Sequence, residues 1–166
     1  MNMKRRTFIK LTTITPLLID TFLMAKDVDD DIWTTIGEVQ NILFPKTSKM
    51  PSAKEFGSIE YLKQNIDHKT FDKDDLELIL NGAKIFKETF PEFSKAMKKD
   101  KLKIVQEASE SDYGNSWLSI LVYYGIEAML SDPIYGGNKF QSGWMGVKHK
   151  AGIPRPKKRY GAKIDL

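Results

Sequence analysis

The 166-residue sequence contains no cysteine. Disulfide bonds, thiolate metal ligands and a cysteine nucleophile are therefore excluded. Histidine is nearly absent: His68 and His149 are the only two, and neither has a second histidine at the helical spacing of a metal-binding pair. His68 has Asp67 and Asp72 nearby, a grouping that either completes a metal site or is a set of solvated charges. The polar stretch IDHKTFD favours solvated charges.

Motifs for phosphate binding and for serine hydrolysis are also missing. Gly136 and Gly137 follow an apolar helical pattern rather than a strand, and the next glycine is Gly143. This spacing fits neither GxGxxG nor GxxxxGK[ST]. No serine lies in a GxSxG elbow. The residues therefore indicate no active site within this chain.

A strand-like alternation of useful length is absent, and apolar residues instead recur at helical spacing. We predict an all-α fold, a small bundle of about five helices over residues 27–130. The helix boundaries follow from capping residues and prolines. The first predicted helix begins after residues 29–31 and ends at Pro45, and the second begins at the capping box Ser52–Glu55. The third starts at Asp72 or Lys73 and ends at Pro91. A short fourth helix carries Leu102, Val105 and Ala108, and the last spans residues 117–130.

The last of these helices, WLSILVYYGIEAML, is apolar on nearly every side. A helix with this pattern is either central in a bundle or faces a partner. It is shorter than the roughly 20 apolar residues that a membrane span needs.

Charge is distributed unevenly along a chain whose formal net charge is +4. Residues 1–26 carry a net +4, residues 27–138 a net −7, and the residues from Lys139 onward a net +7. The basic C-terminal segment could bind an anionic group. Nucleic acid is disfavoured as that group, because the N-terminal KRRTFIK resembles an export motif and exported proteins rarely meet nucleic acid.

The N-terminal KRRTFIK closely resembles the twin-arginine export motif, with Arg5, Arg6, Phe8, Ile9 and Lys10 in the characteristic places. A modestly apolar stretch follows at residues 11–24, as in a signal peptide. We therefore predict a leader over residues 1–26. The alternative is a basic N-terminus of a cytosolic protein. The twin-arginine route carries folded cargo, which suits proteins that acquire a cofactor before export.

The helical pattern stops at residue 131, and residues 131–166 contain six glycines and three prolines. We predict an extended, irregular C-terminal tail. Gly136, Gly137 and Asn138 are expected to turn the chain sharply through left-handed backbone conformations. Tyr135 and Trp144 would then be presented on either side of the turn as anchors for another protein.

Taken together, these features resemble the gluconate 2-dehydrogenase subunit 3 family. The most specific positions are Pro133, Tyr135, Gly136, Gly137, Asn138, Gly143, Trp144, Gly152, Pro154 and Pro156. The resemblance implies a non-catalytic accessory subunit that binds no cofactor itself. It implies a large FAD-binding dehydrogenase subunit as partner, a cytochrome c subunit with haem c as a possible third component, and the twin-arginine export machinery.

The expected location is the periplasm, peripheral to the inner membrane as part of a complex. The residues expected to bind the partner are Tyr135, Gly136, Gly137, Asn138, Phe140, Trp144, Pro154 and Pro156. Two other interpretations stay open from the residues alone. One is a free-standing exported helical protein that binds an anionic ligand or a membrane surface, and the other is a small enzyme.

Overall fold

The computed structural model describes residues 28–159 and is all-α over that range, which confirms the predicted fold class. The export motif and Tyr160 lie outside the described residues. The α-helices are α1 (Asp30–Leu43), α2 (Ala53–Phe56), α3 (Ser58–Asn65), α4 (Lys73–Thr89), α5 (Lys98–Ala108), α6 (Asp112–Leu130) and α7 (Ser142–Gly146). Short 3-10 helices occur at Phe93–Lys95, Pro133–Tyr135 and Lys139–Gln141.

The predicted helix starts are confirmed by their capping interactions. The Asp29 carboxylate accepts a hydrogen bond from the Asp31 backbone N–H at 3.0 Å and opens α1. Ser52 and Glu55 form the complete capping box at the start of α2. The Asp72 carboxylate caps α4. These side chains satisfy backbone N–H groups that have no partner within the helix.

Two helix boundaries differ from the prediction. Gly57 adopts a left-handed conformation with φ 82° and divides the second predicted helix into α2 and α3. The final helix begins at Asp112, earlier than predicted, because the Ser111 hydroxyl accepts a hydrogen bond from Gly114 N–H at 3.0 Å. The stretch DYGNS resembles a break because its glycine, asparagine and serine are weak helix formers.

The centre of the core lies where α4 packs against α6. Trp117 is fully buried there, and its indole N–H donates to the Ile79 carbonyl at 3.1 Å. Gly82 makes room for this ring, since a Cβ atom at that position would lie 2.1 Å from Trp117 Cδ1. The apolar spacing after Pro91 predicts that Phe93 and Met97 both face the core. Phe93 is buried in the core as expected, whereas Met97 is exposed, so the expectation for Met97 is wrong.

One buried polar group ties three helices together. Gln40 of α1 is fully buried; its amide donates to the Leu121 carbonyl of α6, and its oxygen accepts from the Ser58 hydroxyl of α3 at 2.6 Å. A buried amide is tolerated because its hydrogen bonds are made within the protein.

The C-terminal arm, residues 131–159, is turn-rich as predicted, but its first half is not extended. The segment from Pro133 to Gly146 forms short helical turns that pack on α2, α3 and α6. Past Val147 the described chain contains no further helix. Across residues 28–159, none of the helices combines the length and apolar character needed to cross a bilayer.

Candidate protein-binding surface

Two glycines seat the C-terminal arm directly on the backbone of α6. A Cβ atom at Gly137 would lie 2.2 Å from the Ala128 carbonyl oxygen, and one at Gly143 would lie 2.0 Å from that of Met129. Both distances are far below van der Waals contact, so no larger residue fits without moving the arm. The close approach fixes the position of everything between these glycines.

The buried side chain of Asn138 stabilises the turn between Gly137 and Gly143. This side chain is fully buried, donates to the Ser131 carbonyl at 2.9 Å and accepts from Gly143 N–H at 2.9 Å. Gly136 and Asn138 have φ values of 96° and 45°, which confirms the prediction of left-handed conformations at these two positions. Gly137 does not have a positive φ, and its role is the close approach to α6.

Phe140 is held outward on a strained backbone. Phe140 and Gln141 have φ values of 56° and 59°, in a region that costs a residue with a side chain roughly 1–2 kcal/mol. The preceding Lys139 is fixed by an ion pair with Glu60 at 2.6 Å, and its stem lies over Gly57. Phe140 is nevertheless 90% exposed. Backbone strain of this kind persists where the surroundings determine it, and it occurs often at binding sites.

Trp144 and Tyr135 have structural roles within the chain. Trp144 is 7% exposed, and its indole N–H donates to the Leu130 carbonyl at 2.6 Å. The expectation that Trp144 is presented as an exposed anchor is therefore wrong. Tyr135 is half-buried against the core, and its carbonyl accepts from the Asn65 amide at 2.9 Å. The aromatic exposed at this turn is Phe140.

The last described part of the arm is held by Arg155, which sequence reasoning did not single out. Its Nε donates to the Asp132 carboxylate at 2.8 Å, and its guanidinium lies 5.3 Å from the centre of the Trp144 ring. This hydrogen bond holds the pKa of Asp132 below its ordinary value. Pro154 and Pro156 flank Arg155 and are exposed. The ion pair thus brings the two prolines back to the start of the arm.

A shallow groove of about 670 Å³ lies between the arm and the loop that joins α1 to α2. We call it the Phe140 groove. Phe140, Met145, Met50 and Pro51 supply its apolar lining. The sequence alone could not place Met50 and Met145 in one groove. The two segments meet at Gly146, where a Cβ atom would lie 2.5 Å from Met50 Sδ.

The rim of the Phe140 groove is basic. Lys46, Lys49, Lys54 and Lys139 line it, against the single carboxylate of Glu55. Lys46 pairs with Glu55, which lowers the pKa of that carboxyl to about 2. Within residues 28–159, neither Lys49 nor Lys54 forms an ion pair, and both are exposed. The groove therefore combines an apolar floor with unneutralised positive charge.

Exposed apolar side chains are concentrated on α6 and the arm. Of the nine large hydrophobic residues that the described part of the chain exposes, only Met97 and Leu102 lie elsewhere. The other seven are Tyr123, Ile126 and Leu130 on α6, and Phe140, Met145, Val147 and Ile153 on the arm. The distribution explains why α6 is apolar on nearly every side. One face of the helix is central in the bundle, and the opposite face is open to solvent.

Within residues 28–159, no three histidine or carboxylate side chains are grouped so as to hold a metal ion. The His68 ring is instead hydrogen-bonded to the Thr70 hydroxyl at 2.9 Å. A second, smaller cavity of about 240 Å³ lies beside Phe86 and Phe90, away from the arm.

Searches against protein-family models, curated proteins and solved structures found no match to this chain.

Proposed function

We propose that this chain is the non-catalytic small subunit of a periplasmic FAD-dependent dehydrogenase complex that oxidises gluconate or a related sugar or sugar acid. The chain would carry the export signal for the large flavoprotein subunit and stabilise it. FAD would lie in that subunit, and haem c in a cytochrome subunit where one is present. The twin-arginine-like leader and the PIYGGN, GW and PRP motifs support this proposal.

The observation that carries the proposal is the concentration of exposed apolar side chains on α6 and the arm. Large exposed apolar patches mark sites of protein association, and these seven side chains lie on two elements that are consecutive in the chain and packed together. A subunit that accompanies its partner through export must hold it firmly, and permanent complexes bury roughly 2,000 Å² or more. α6 and the arm together offer an extended surface on which such an interface could form.

Export of the flavoprotein by means of a leader on the small subunit has a physical basis. The twin-arginine route carries folded cargo, and a flavoprotein folds around FAD before export. A leader on the small subunit would then serve both chains, provided that they associate first. Export of the partner would depend on this chain's Arg5 and Arg6.

The test is a charge-conserving change in the leader. Arg5→Lys with Arg6→Lys should leave both this chain and the flavoprotein in the cytoplasm. Lys4→Arg, which also conserves charge beside the pair, should export both normally. Fractionation followed by immunoblotting of both subunits gives the readout. Normal export of the flavoprotein with the double variant would reject the proposal.

A second function is favoured by the lysines around the Phe140 groove. A free-standing exported protein that binds an anionic ligand would use the same charges. Such a protein would purify from the periplasm without a flavoprotein, and the leader variant would retain only this chain in the cytoplasm.

A further inference from the structure

We propose that the Phe140 groove binds an acidic segment of the partner, in which an apolar side chain is flanked by carboxylates. The inference deepens the proposed function and rests on it for the identity of the partner as the flavoprotein. It rests on the groove itself for the chemistry of the bound segment.

The first argument is the construction of the turn. Buried Asn138 and the glycine contacts with α6 hold the backbone where Phe140 must adopt φ 56°. The side chain gains no burial within the chain in return, since it is 90% exposed. A strained and fully exposed aromatic beside an apolar floor is the arrangement of an interface anchor. The apolar residue of the bound segment would pack between Phe140 and Met145.

The second argument is charge. Four lysines line the groove, of which Lys46 pairs with Glu55 and Lys139 with Glu60. Lys49 and Lys54 are exposed and form no ion pair in the part of the chain that the structure covers. Complementary charges at an interface rim select the partner and speed association. Carboxylates on either side of the apolar residue would meet these two lysines.

The third argument is shape. The groove is shallow and bounded by two chain segments, whereas small-molecule sites enclose most of their ligand. Its methionines also suit a peptide surface, because flexible thioether side chains adapt to the shape of an apolar partner. An extended or helical segment of another protein therefore fits this groove better than a small anion does.

The experiment is site-specific photo-cross-linking in the full chain, expressed in its native cells. Phe140→p-benzoylphenylalanine keeps an aromatic at the exposed position. Leu102→p-benzoylphenylalanine, at an exposed site on α5, is the matched control. Mass spectrometry identifies the cross-linked peptide. The expected product from position 140, absent from position 102, is a flavoprotein peptide richer in Asp and Glu than in Lys and Arg.

Charge reversal supplies a second readout. Lys49→Glu with Lys54→Glu, added to the position-140 probe, should lower the cross-link yield by about 10-fold or more. Lys98→Glu with Lys99→Glu makes the same charge change on exposed residues of α5 and should leave the yield unchanged.

The outcomes separate this inference from the proposed function. A cross-link to an acidic segment of a protein that is not a flavoprotein upholds the groove chemistry and rejects the proposed function. The groove inference falls if position 140 gives no specific product, labels a second copy of this chain, or labels a segment without excess acid. The groove inference is also rejected if the Lys49/Lys54 and Lys98/Lys99 charge reversals change the cross-link yield equally. Normal co-purification of the flavoprotein in those cases leaves the proposed function standing.

Discussion

Replacing Gly137 by alanine tests how the arm is attached to the bundle. The added Cβ atom would lie 2.2 Å from the Ala128 carbonyl oxygen and 2.8 Å from the Ala128 Cα atom. Both neighbours are backbone atoms of α6, so no side-chain rotation relieves the clash. The arm must move by about 1 Å to restore van der Waals contact.

The expected cost of Gly137→Ala follows from this displacement. Forcing an extra methyl group into a packed contact destabilises a protein by about 1–3 kcal/mol, and we expect the upper half of that range. The melting temperature should fall by roughly 4–10 °C. Gly152→Ala is the matched control, because a Cβ atom there meets nothing within 4 Å. The control also reproduces the smaller conformational entropy of the unfolded alanine variant.

Urea unfolding followed by circular dichroism and by tryptophan fluorescence measures the effect. If the arm detaches without unfolding the bundle, emission from Trp144 shifts to longer wavelength in native buffer, because its indole is then exposed to water. Equal unfolding midpoints and unchanged emission for the Gly137 and Gly152 variants would refute the close packing of the arm on α6.

Three further predictions concern the bundle. Gln40→Leu should destabilise it by about 1–3 kcal/mol in urea unfolding, because the buried Ser58 hydroxyl loses its acceptor and the Leu121 carbonyl loses the Gln40 amide as a donor. Burial and a 2.7 Å hydrogen bond to Asp75 raise the pKa of Tyr124 above its ordinary value of 10.0. The stabilisation by neutral Tyr124 should therefore be fully present below pH 10 and be lost as the pH rises further. Tyr124→Phe should make the free energy of unfolding fall less steeply with pH in that range. Hydrogen bonds donated by the Lys46 side chain and by the Ser52 backbone N–H lower the pKa of Glu55 from 4.5 to about 2. The contribution of ionised Glu55 to the free energy of unfolding should be present above pH 4.5 and be lost as the pH falls toward 2. Glu55→Gln should flatten this dependence of stability on pH.

Each of these predictions has a contrary result. Gln106→Leu, an exposed exchange of the same kind on α5, should have little effect, and an equal loss in both variants would show that burial of Gln40 is unimportant. Ionisation of Tyr124 near pH 10, read from tyrosinate absorbance, would contradict its predicted environment. For Glu55, an acid dependence of stability that is insensitive to the substitution would argue against the interactions of Glu55 with Lys46 and Ser52 as its source.

The helical bundle could be predicted because its signals are local. Asp29, Ser52 and Asp72 stand directly before apolar periodic runs, and each caps a helix as expected. Position within the core was less predictable. Met97 continues the apolar spacing but is exposed, since the chain leaves the helix at Pro91 and its later orientation depends on tertiary packing.

The candidate site could be predicted only in part. Local sequence identified the turn at Gly136 and Asn138, because left-handed conformations favour glycine and asparagine. The groove depends on contacts between distant residues, such as Gly146 with Met50, and no periodic pattern records such contacts. Trp144 shows the converse error: its place in an irregular segment predicts exposure, although its indole N–H donates to a carbonyl of α6.

The central claim is that this chain accompanies a flavoprotein. The most direct measurement is purification of the full chain from periplasm through a tag placed after Leu166, followed by absorbance and mass spectrometry of the product. We expect a complex that contains a large FAD-binding subunit and shows a flavin spectrum. Recovery of this chain from periplasm alone, without flavin and without a large subunit, would contradict the claim.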